Sequence, residues 1–246
     1  MFFRKFINIL MVYGFKSEED FMEKQKVIFG IIAMLLCSVL LISGCTQEQE
    51  SSNGGTNNNG QNGATETIQT ILAKAETIQS MYYEVSTTTT ITGAPEQTGS
   101  YKIWQKLPYM KEEVTTTTGD VTTSLSIIKR PEGIYMYDAT QGMYILSSNI
   151  EIPQSSAADT SRDILNNQTI TELGTETIDG KATTVIQYTV TTEQGSTTVK
   201  MWIWNEKGVP LKSTFTMTTE QISMTQEYIY SNYSFADIPD STFDVS

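Results

Sequence analysis

The chain has 246 residues, a formal net charge of −12, no histidine and two cysteines. The acidic charge argues against a nucleic-acid partner, because phosphate binding needs clustered Lys and Arg. Without histidine, the commonest general base and the commonest metal ligand are both missing, and two cysteines cannot form a thiolate zinc cage. The serine elbow motif G-x-S-x-G is also absent. We therefore expect a protein that is not an enzyme and that holds no cofactor and no metal.

An apolar run near the N-terminus predicts export. Residues 27–42 carry no charge, and Lys24 and Lys26 stand immediately before them. A positive segment, an apolar segment and small residues before a cleavage site are typical of a signal peptide. The run is short against the roughly 20 residues that a membrane-spanning helix needs. This favours a cleaved signal peptide over residues 1–44, with an uncleaved anchor helix as the alternative.

The end of this run resembles the lipobox of prokaryotic lipoproteins, with Ile42, Ser43 and Gly44 before Cys45. The resemblance implies that the thiol of Cys45 carries a diacylglyceryl thioether and that Cys45 becomes the new N-terminus. Cys37 would leave with the signal peptide, so we expect no disulfide in the mature protein. The predicted location is the outer face of the cell membrane, extracytoplasmic and anchored by this lipid.

The start of the chain has two interpretations. The first 21 residues mix three basic with three acidic side chains, which is unusual for a signal peptide. A start at Met22 gives the compact segment Met-Glu-Lys-Gln-Lys instead. After the cleavage site, residues 45–63 contain no large apolar side chain beyond Cys45 itself, which predicts a disordered polar tether. The remaining residues, 64–246, are predicted to form one domain, since no second boundary is visible.

Two helices are expected in that domain. Residues 65–80 place Ile68, Ile71, Leu72 and further apolar residues at helical spacing, which predicts one long N-terminal helix. Residues 156–168 predict a short second helix with a weak apolar face.

The rest of the domain predicts about ten strands, rich in Thr or apolar residues and separated by turn residues. The strongest turn is Asp179-Gly180, a two-residue hairpin signal. Strands spaced 8–14 residues apart with no parallel crossover units indicate an antiparallel, mainly β (α+β) fold. The predicted strands cover residues 82–91, 100–107, 110–118, 121–129, 134–138, 141–147, 170–178, 181–191, 196–205, 209–219 and 222–231.

Three segments together resemble the lipoprotein-carrier superfamily of LolA, LolB and their relatives. They are residues 173–181 with the Asp-Gly hairpin, residues 199–212 with a second hairpin around Lys-Gly-Val-Pro, and residues 228–243 at the end. The likeness covers residues 64–246. It implies a curved antiparallel half-barrel, with both helices against its concave face, that binds acyl chains or other apolar groups. Arg130 and Arg162 are the only arginines after Cys45, and neither matches the arginine that functions in the carriers.

Aromatic residues on the predicted strands are candidates for lining such a cavity, together with the apolar stripe of the first helix. Residues two apart on a strand share a face, so Tyr135 pairs with Tyr137 and Trp202 with Trp204. Ordinary core packing is the alternative role for the whole set. The candidate cavity residues are Ile68, Ile71, Leu72, Trp104, Tyr135, Tyr137, Trp202, Trp204 and Phe215.

The predicted function is therefore a membrane-anchored exported lipoprotein that binds a lipid, an acyl chain or another apolar ligand, in lipoprotein or lipid trafficking. The alternative is an envelope sensor or protein-interaction module whose partner is another envelope protein, with an inert surface spacer as a third hypothesis. We expect a monomer. Asn167 and Asn232 lie in glycosylation sequons, which matter only in a host that glycosylates exported proteins.

Overall fold

Threonine and other β-branched residues suit the pleated strand, and the threonine-rich segments of this chain form one large sheet. The structure is a computed structural model that describes residues 66–147, 164, 169–192, 195–218 and 223–245. Eleven strands lie within these residues: β1 Ser80–Ile91, β2 Gln97–Lys106, β3 Tyr109–Thr118, β4 Val121–Arg130, β5 Gly133–Asp138, β6 Met143–Ser147, β7 Thr171–Ile178, β8 Lys181–Thr192, β9 Gly195–Trp204, β10 Pro210–Thr218 and β11 Ser223–Ser234.

All neighbouring strands are antiparallel, in the order β6-β5-β4-β3-β2-β1-β11-β10-β9-β8-β7. The first and last strands therefore pair at the centre of the sheet, and β6 and β7 form its two edges. The sheet is curved and does not close, so the predicted half-barrel of about ten strands is confirmed, with eleven strands.

The turn between β7 and β8 is the one that the sequence predicts. Asp179 and Gly180 have φ angles of +48° and +75°, and Ile178 pairs directly with Lys181. A two-residue turn with positive φ at both positions matches the right-handed twist of the flanking strands. Glycine adopts such an angle without steric cost, and Asp tolerates it.

The N-terminal helix is shorter than predicted, and the expectation of one long helix over residues 65–80 is wrong. Helix α1 covers Ile68–Ala73, and a 3-10 turn follows at Lys74–Thr77. Thr67 caps the start, since its Oγ1 accepts a hydrogen bond from the backbone N–H of Thr70 at 3.3 Å. Ile78 is already extended, and Ser80 pairs with Lys106 of β2. The last residues of the predicted helix are therefore extended and lead into β1 and its pairing with β2.

The predicted second helix, residues 156–168, falls outside the described residues except for Ile164, which is helical and 5% exposed. Ile164 packs in the largest of three apolar clusters, between α1 and the β8–β10 side of the sheet. The buried members of this cluster are Ile68, Ile71, Leu72, Ile164, Ile186, Tyr188, Val199, Met201, Ile203 and Phe215.

The C-terminal residues cover the opposite face. After β11 the chain reaches Ile238 and a 3-10 turn at Asp240–Phe243, and Ile238 and Phe243 pack on Ile128 of β4. Ile127 and Ile128 are adjacent on β4 and therefore point to opposite faces of the sheet. Ile127 lies on the concave face, so the cluster around Ile128 lies on the convex face. Partly buried aromatic residues surround it: Trp104, Tyr109, Tyr135 and Tyr144.

Candidate functional site

The apolar stripe of α1 meets the concave face of the sheet. Ile68, Ile71 and Leu72 lie at i, i+3 and i+4, and each is at most 2% exposed. They pack on strands β8 to β10, where Phe215 is 5% exposed and stacks edge-on against Tyr228 with ring centroids 5.2 Å apart. Helix α1 and the sheet thus enclose an apolar layer on the concave side.

The hairpin between β9 and β10 holds α1 in place. Gly208 has a φ of +73°, and a Cβ built on it would lie 2.3 Å from the carbonyl oxygen of Ile71. Only glycine allows the two backbones to approach this closely. In the same hairpin, the carbonyl oxygen of Asn205 accepts a hydrogen bond from Nζ of Lys74 at 2.5 Å, and Lys74 also pairs with Glu66 at 2.7 Å.

A second cluster continues this contact at the end of the helix. Ala75 and Met81 are buried with Val209 of the hairpin region. Trp204, the last residue of β9, packs against it, with its ring centroid 6.0 Å from that of Phe235. Two clefts of about 540 and 360 Å³ border this region, and Lys74 and Glu206 line both.

The centre of the concave face is polar but uncharged. Along β1 the alternation of side chains places Tyr83, Val85, Thr87 and Thr89 on this face, and the last three lie across from alternate residues of β11. In β1, β2, β10 and β11, which the structure describes in full, every Lys, Asp and Glu has the other parity and points to the convex side. Buried polar residues on the concave face of these strands are Thr87, Thr89, Gln97, Ser213 and Gln226.

Tyrosine hydroxyls also lie on this face. Burial raises the pKa of Tyr101 to about 12 and raises the pKa values of Tyr83 and Tyr230. These phenols therefore remain protonated at physiological pH and can donate hydrogen bonds. The concave face offers hydroxyl and amide groups, and no ionised side chain on its central strands.

Glu112 is the acidic exception, on the neighbouring strand β3. It pairs with Ile103 of β2 and Ile127 of β4, so its carboxyl group lies between two aliphatic side chains on the concave face. Burial raises the pKa of Glu112, because a low-dielectric surrounding disfavours the carboxylate. Burial thus favours the neutral acid over the carboxylate at this position.

Four of the nine candidate cavity residues lie together in the apolar layer between α1 and the sheet: Ile68, Ile71, Leu72 and Phe215. Trp204 lies in the second cluster, at the end of the helix. Trp104 and Tyr135 pack with the C-terminal segment on the convex side. Tyr137 is 45% exposed near the β6 edge, where it contacts Tyr144.

Trp202 also points to the convex face, since Met201 and Ile203 on either side of it belong to the cluster beneath α1. Its indole N–H donates to Glu176 at 2.7 Å, and the Nζ of Lys200 lies 4.4 Å from its ring centroid. The indole N–H and the ring of Trp202 therefore already have partners within the protein.

Several predicted positions lie elsewhere. Ile42, Ser43, Gly44, Cys45 and the sequon residue Asn167 are outside the described residues. Asn232 lies in β11 with a φ of +54°, exposed, and its side-chain amide donates to Glu84 at 2.9 Å.

One pair of described residues has the spacing of a catalytic motif. Ser126 and Lys129 have the S-x-x-K spacing of some serine hydrolases, but they lie on β4 with opposite parity and point to opposite faces. Ser126 Oγ instead contacts the hydroxyl of Tyr144 at 2.7 Å. In the part of the chain that the structure describes, no group of three or more Cys, Asp or Glu side chains is placed to hold a metal ion. No helix within those same residues has the length and apolar character needed to cross a membrane.

Comparison with known proteins gives matches among solved structures. No family model matches the sequence, and no curated protein sequence matches it. The structure is similar to a LolA superfamily protein from Nitrosomonas europaea, at 18% identity and a TM-score of 0.36, over 73% of this chain and 98% of that one. It is also similar to LprF from Mycobacterium bovis, at 15% identity and a TM-score of 0.45, over 70% and 94% of the two chains. A third is the lipoprotein LppX from Mycobacterium tuberculosis, at 14% identity and a TM-score of 0.37, over 66% and 90%.

Proposed function

We propose that this protein is an exported lipoprotein, anchored through Cys45, that binds an acyl chain or a similar apolar ligand between α1 and the concave face. The observation that carries the proposal is the apolar layer beneath α1, where Ile68, Ile71 and Leu72 face Phe215 across an open, curved sheet. The helix has only six residues, and the strands form their hydrogen bonds with one another. Helix α1 can therefore move away without breaking the hydrogen bonds between the strands.

The mechanism is reversible burial without covalent chemistry. When α1 lifts, an acyl chain takes the place of its aliphatic side chains on the sheet. Burial of about 300 Å² of hydrocarbon contributes roughly 7 kcal/mol before the entropy of ordering the chain is subtracted. The hydrogen bond from Lys74 to the carbonyl oxygen of Asn205 and the close contact at Gly208 retain the C-terminal end of the helix and make that end the hinge.

The test is native mass spectrometry of residues 46–246, a segment that retains every described strand. The protein is purified without detergent from a lipid-containing host, and any adduct is extracted and identified. We expect a discrete adduct of lipid mass, and displacement of it by a fluorescent fatty acid. A clean ligand-free mass together with no uptake of the fluorescent fatty acid would contradict the proposal and favour a protein partner.

Two matched variants locate the binding face. Phe215→Ala and Trp202→Ala each remove one aromatic side chain, 5% and 8% exposed, from neighbouring strands but from opposite faces. Both substitutions are expected to destabilise the fold by about 3 kcal/mol or more. Only Phe215→Ala is expected to weaken fatty-acid binding, by about tenfold, at a temperature where circular dichroism shows both variants folded. An equal loss in both variants would place the ligand elsewhere.

A further inference from the structure

Four buried side chains at the centre of the concave face have polar atoms without a hydrogen-bond partner among the described residues: Thr87, Thr89, Ser213 and Gln226. Gln226 and Thr89 are the pair that matters here. Gln226 is 0% exposed and Thr89 is 1% exposed, and they face each other across the pairing of β11 with β1. Neither Nε2 nor Oε1 of Gln226 makes a hydrogen bond, and neither does Oγ1 of Thr89. Buried polar groups in folded proteins are almost always paired, so these unpaired groups are available to hydrogen-bond a ligand.

These two residues border the apolar layer. Gln226 pairs across the sheet with Phe215, which packs beneath α1. Neighbouring strands lie about 4.8 Å apart. Gln226 is therefore one strand away from Phe215, and Thr89 is two strands away. An acyl chain that lies on Phe215 and continues toward the centre of the sheet would bring its end to Gln226.

The charge of the surroundings selects the chemistry of that end. The concave faces of β1, β2, β10 and β11 carry no Lys or Arg that would neutralise a carboxylate or a phosphate. A pure hydrocarbon would leave the amide and the hydroxyl unpaired. A neutral group with both an acceptor and a donor satisfies them.

We propose that Gln226 and Thr89 form a polar subsite that recognises the ester and free hydroxyl of an acylglycerol whose hydrocarbon chain lies beneath α1. The proposal rests on the lipid-binding function proposed above and specifies its ligand class. The Nε2 group of Gln226 donates to the ester carbonyl oxygen, and its Oε1 accepts from a glycerol hydroxyl. Thr89 Oγ1 pairs with a second glycerol oxygen. The buried hydroxyls of Thr87 and Ser213 extend the same uncharged surface on either side.

The experiment compares three probes that share a C18 hydrocarbon chain: 1-oleoylglycerol, oleic acid and 1-octadecene. Each probe is titrated against residues 46–246 in competition with a fluorescent fatty acid. We expect the unaltered protein to bind 1-oleoylglycerol at least tenfold more tightly than either of the other two.

The variants Gln226→Leu and Thr89→Val keep the volume of the side chain and remove the hydrogen-bonding groups. Gln226→Leu is expected to abolish the preference for 1-oleoylglycerol while leaving the affinity for 1-octadecene within about twofold. The matched control is Thr88→Val, which makes the same change at the exposed neighbouring residue on the convex face and is expected to leave all three affinities unchanged.

Thermal unfolding of the ligand-free proteins separates recognition from a structural role. Removal of an unpaired buried amide is expected to raise the melting temperature of Gln226→Leu, because the folded state no longer holds an unsatisfied group. A melting temperature that falls in Gln226→Leu, or a preference for the acylglycerol that survives in it, would overturn the subsite. Failure of all three probes to bind the unaltered protein would overturn the lipid-binding function and the subsite with it. Binding of all three with equal affinity would overturn the subsite alone.

Discussion

Glu112 places an ionisable group against aliphatic neighbours on the concave face, and this should give the protein a distinct pH dependence. Its pKa is raised in the folded state, so the folded protein holds that proton to a higher pH than the unfolded chain does. The stabilisation is complete at low pH and is lost as the pH rises from about 4.5, the ordinary value, through the folded-state pKa. Glu112→Gln stays neutral at every pH. We therefore expect this variant to match the unaltered protein near pH 4 and to exceed its stability at pH 8, as measured by urea unfolding across that range.

The control for this prediction is Glu113→Gln. Glu113 is the next residue on β3, points to the convex face and forms an ion pair with Lys111 at 3.0 Å. It reports the effect of losing one carboxylate from a solvated ion pair, which is small. A Glu112→Gln variant that is less stable than the unaltered protein at pH 8 would show that the carboxylate has a favourable partner there.

At the level of single residues, the alternation of side chains along β1 assigns its threonines to two different faces of the sheet. Thr87 and Thr89 have the parity of Val85 and so share its buried face. A threonine-rich strand is typical of a solvated surface, however, and nothing in the composition shows which of its two faces is covered. Gln226 was missed for the same reason, since its neighbours Thr225 and Glu227 are polar as well. Only the packing of the sheet shows that these polar groups are buried.

At the level of elements, the contact between α1 and the β9–β10 hairpin predicts the effect of a single methyl group. Gly208→Ala adds a Cβ at a position 2.3 Å from the carbonyl oxygen of Ile71, and it also places alanine at a φ of +73°. The helix or the hairpin has to move. We expect a loss of about 2–3 kcal/mol of stability, from backbone strain and displaced packing, measured by urea unfolding. Faster uptake of a fluorescent fatty acid should accompany it, because α1 is held less firmly.

Gly93→Ala is the matched control for that change. Gly93 has a similar φ of +78°, but a Cβ at this position meets no atom within 4 Å. It therefore reports the cost of the backbone angle alone, about 1 kcal/mol. If the two variants lose the same stability and take up the fatty acid at the same rate, the contact of Gly208 with α1 contributes nothing.

The elements themselves were largely predictable, and their faces were not. Each of the eleven observed strands overlaps a predicted segment, because turns such as Asp179-Gly180 and Lys207-Gly208 separate them. Helix α1 was predicted too long because Ile78 continues the helical spacing of the apolar residues. Its backbone is already extended, and β1 begins two residues later at Ser80. The tryptophans illustrate the remaining gap. Met201 and Ile203 alternate with Trp202 and Trp204, so both faces of β9 are apolar, and alternation alone cannot show which face meets α1.

At the scale of the whole molecule, the proposed anchor and the folded sheet have separate tasks. From Cys45 onward the chain has 11 basic and 24 acidic side chains, so an anionic membrane surface repels it. Net charge therefore does not favour attachment to a membrane, and the proposed covalent lipid on Cys45 would provide it. One acyl chain alone gives only reversible binding, whereas a diacylglyceryl group adds two chains to a single residue.

This division predicts opposite behaviour for the two cysteines. We expect full-length protein, expressed in a bacterial host that processes lipoproteins, to incorporate labelled palmitate and to partition into the detergent phase of a Triton X-114 extract. Cys45→Ser should lose the label, because serine has no thiol to form the thioether. Cys37→Ser makes the same change within the predicted signal peptide and should retain both the label and the partitioning. Label that persists in Cys45→Ser would overturn the anchor. Detergent partitioning of Cys45→Ser without the label, at the mass of the unprocessed chain, would show instead that residues 27–42 remain as a membrane helix.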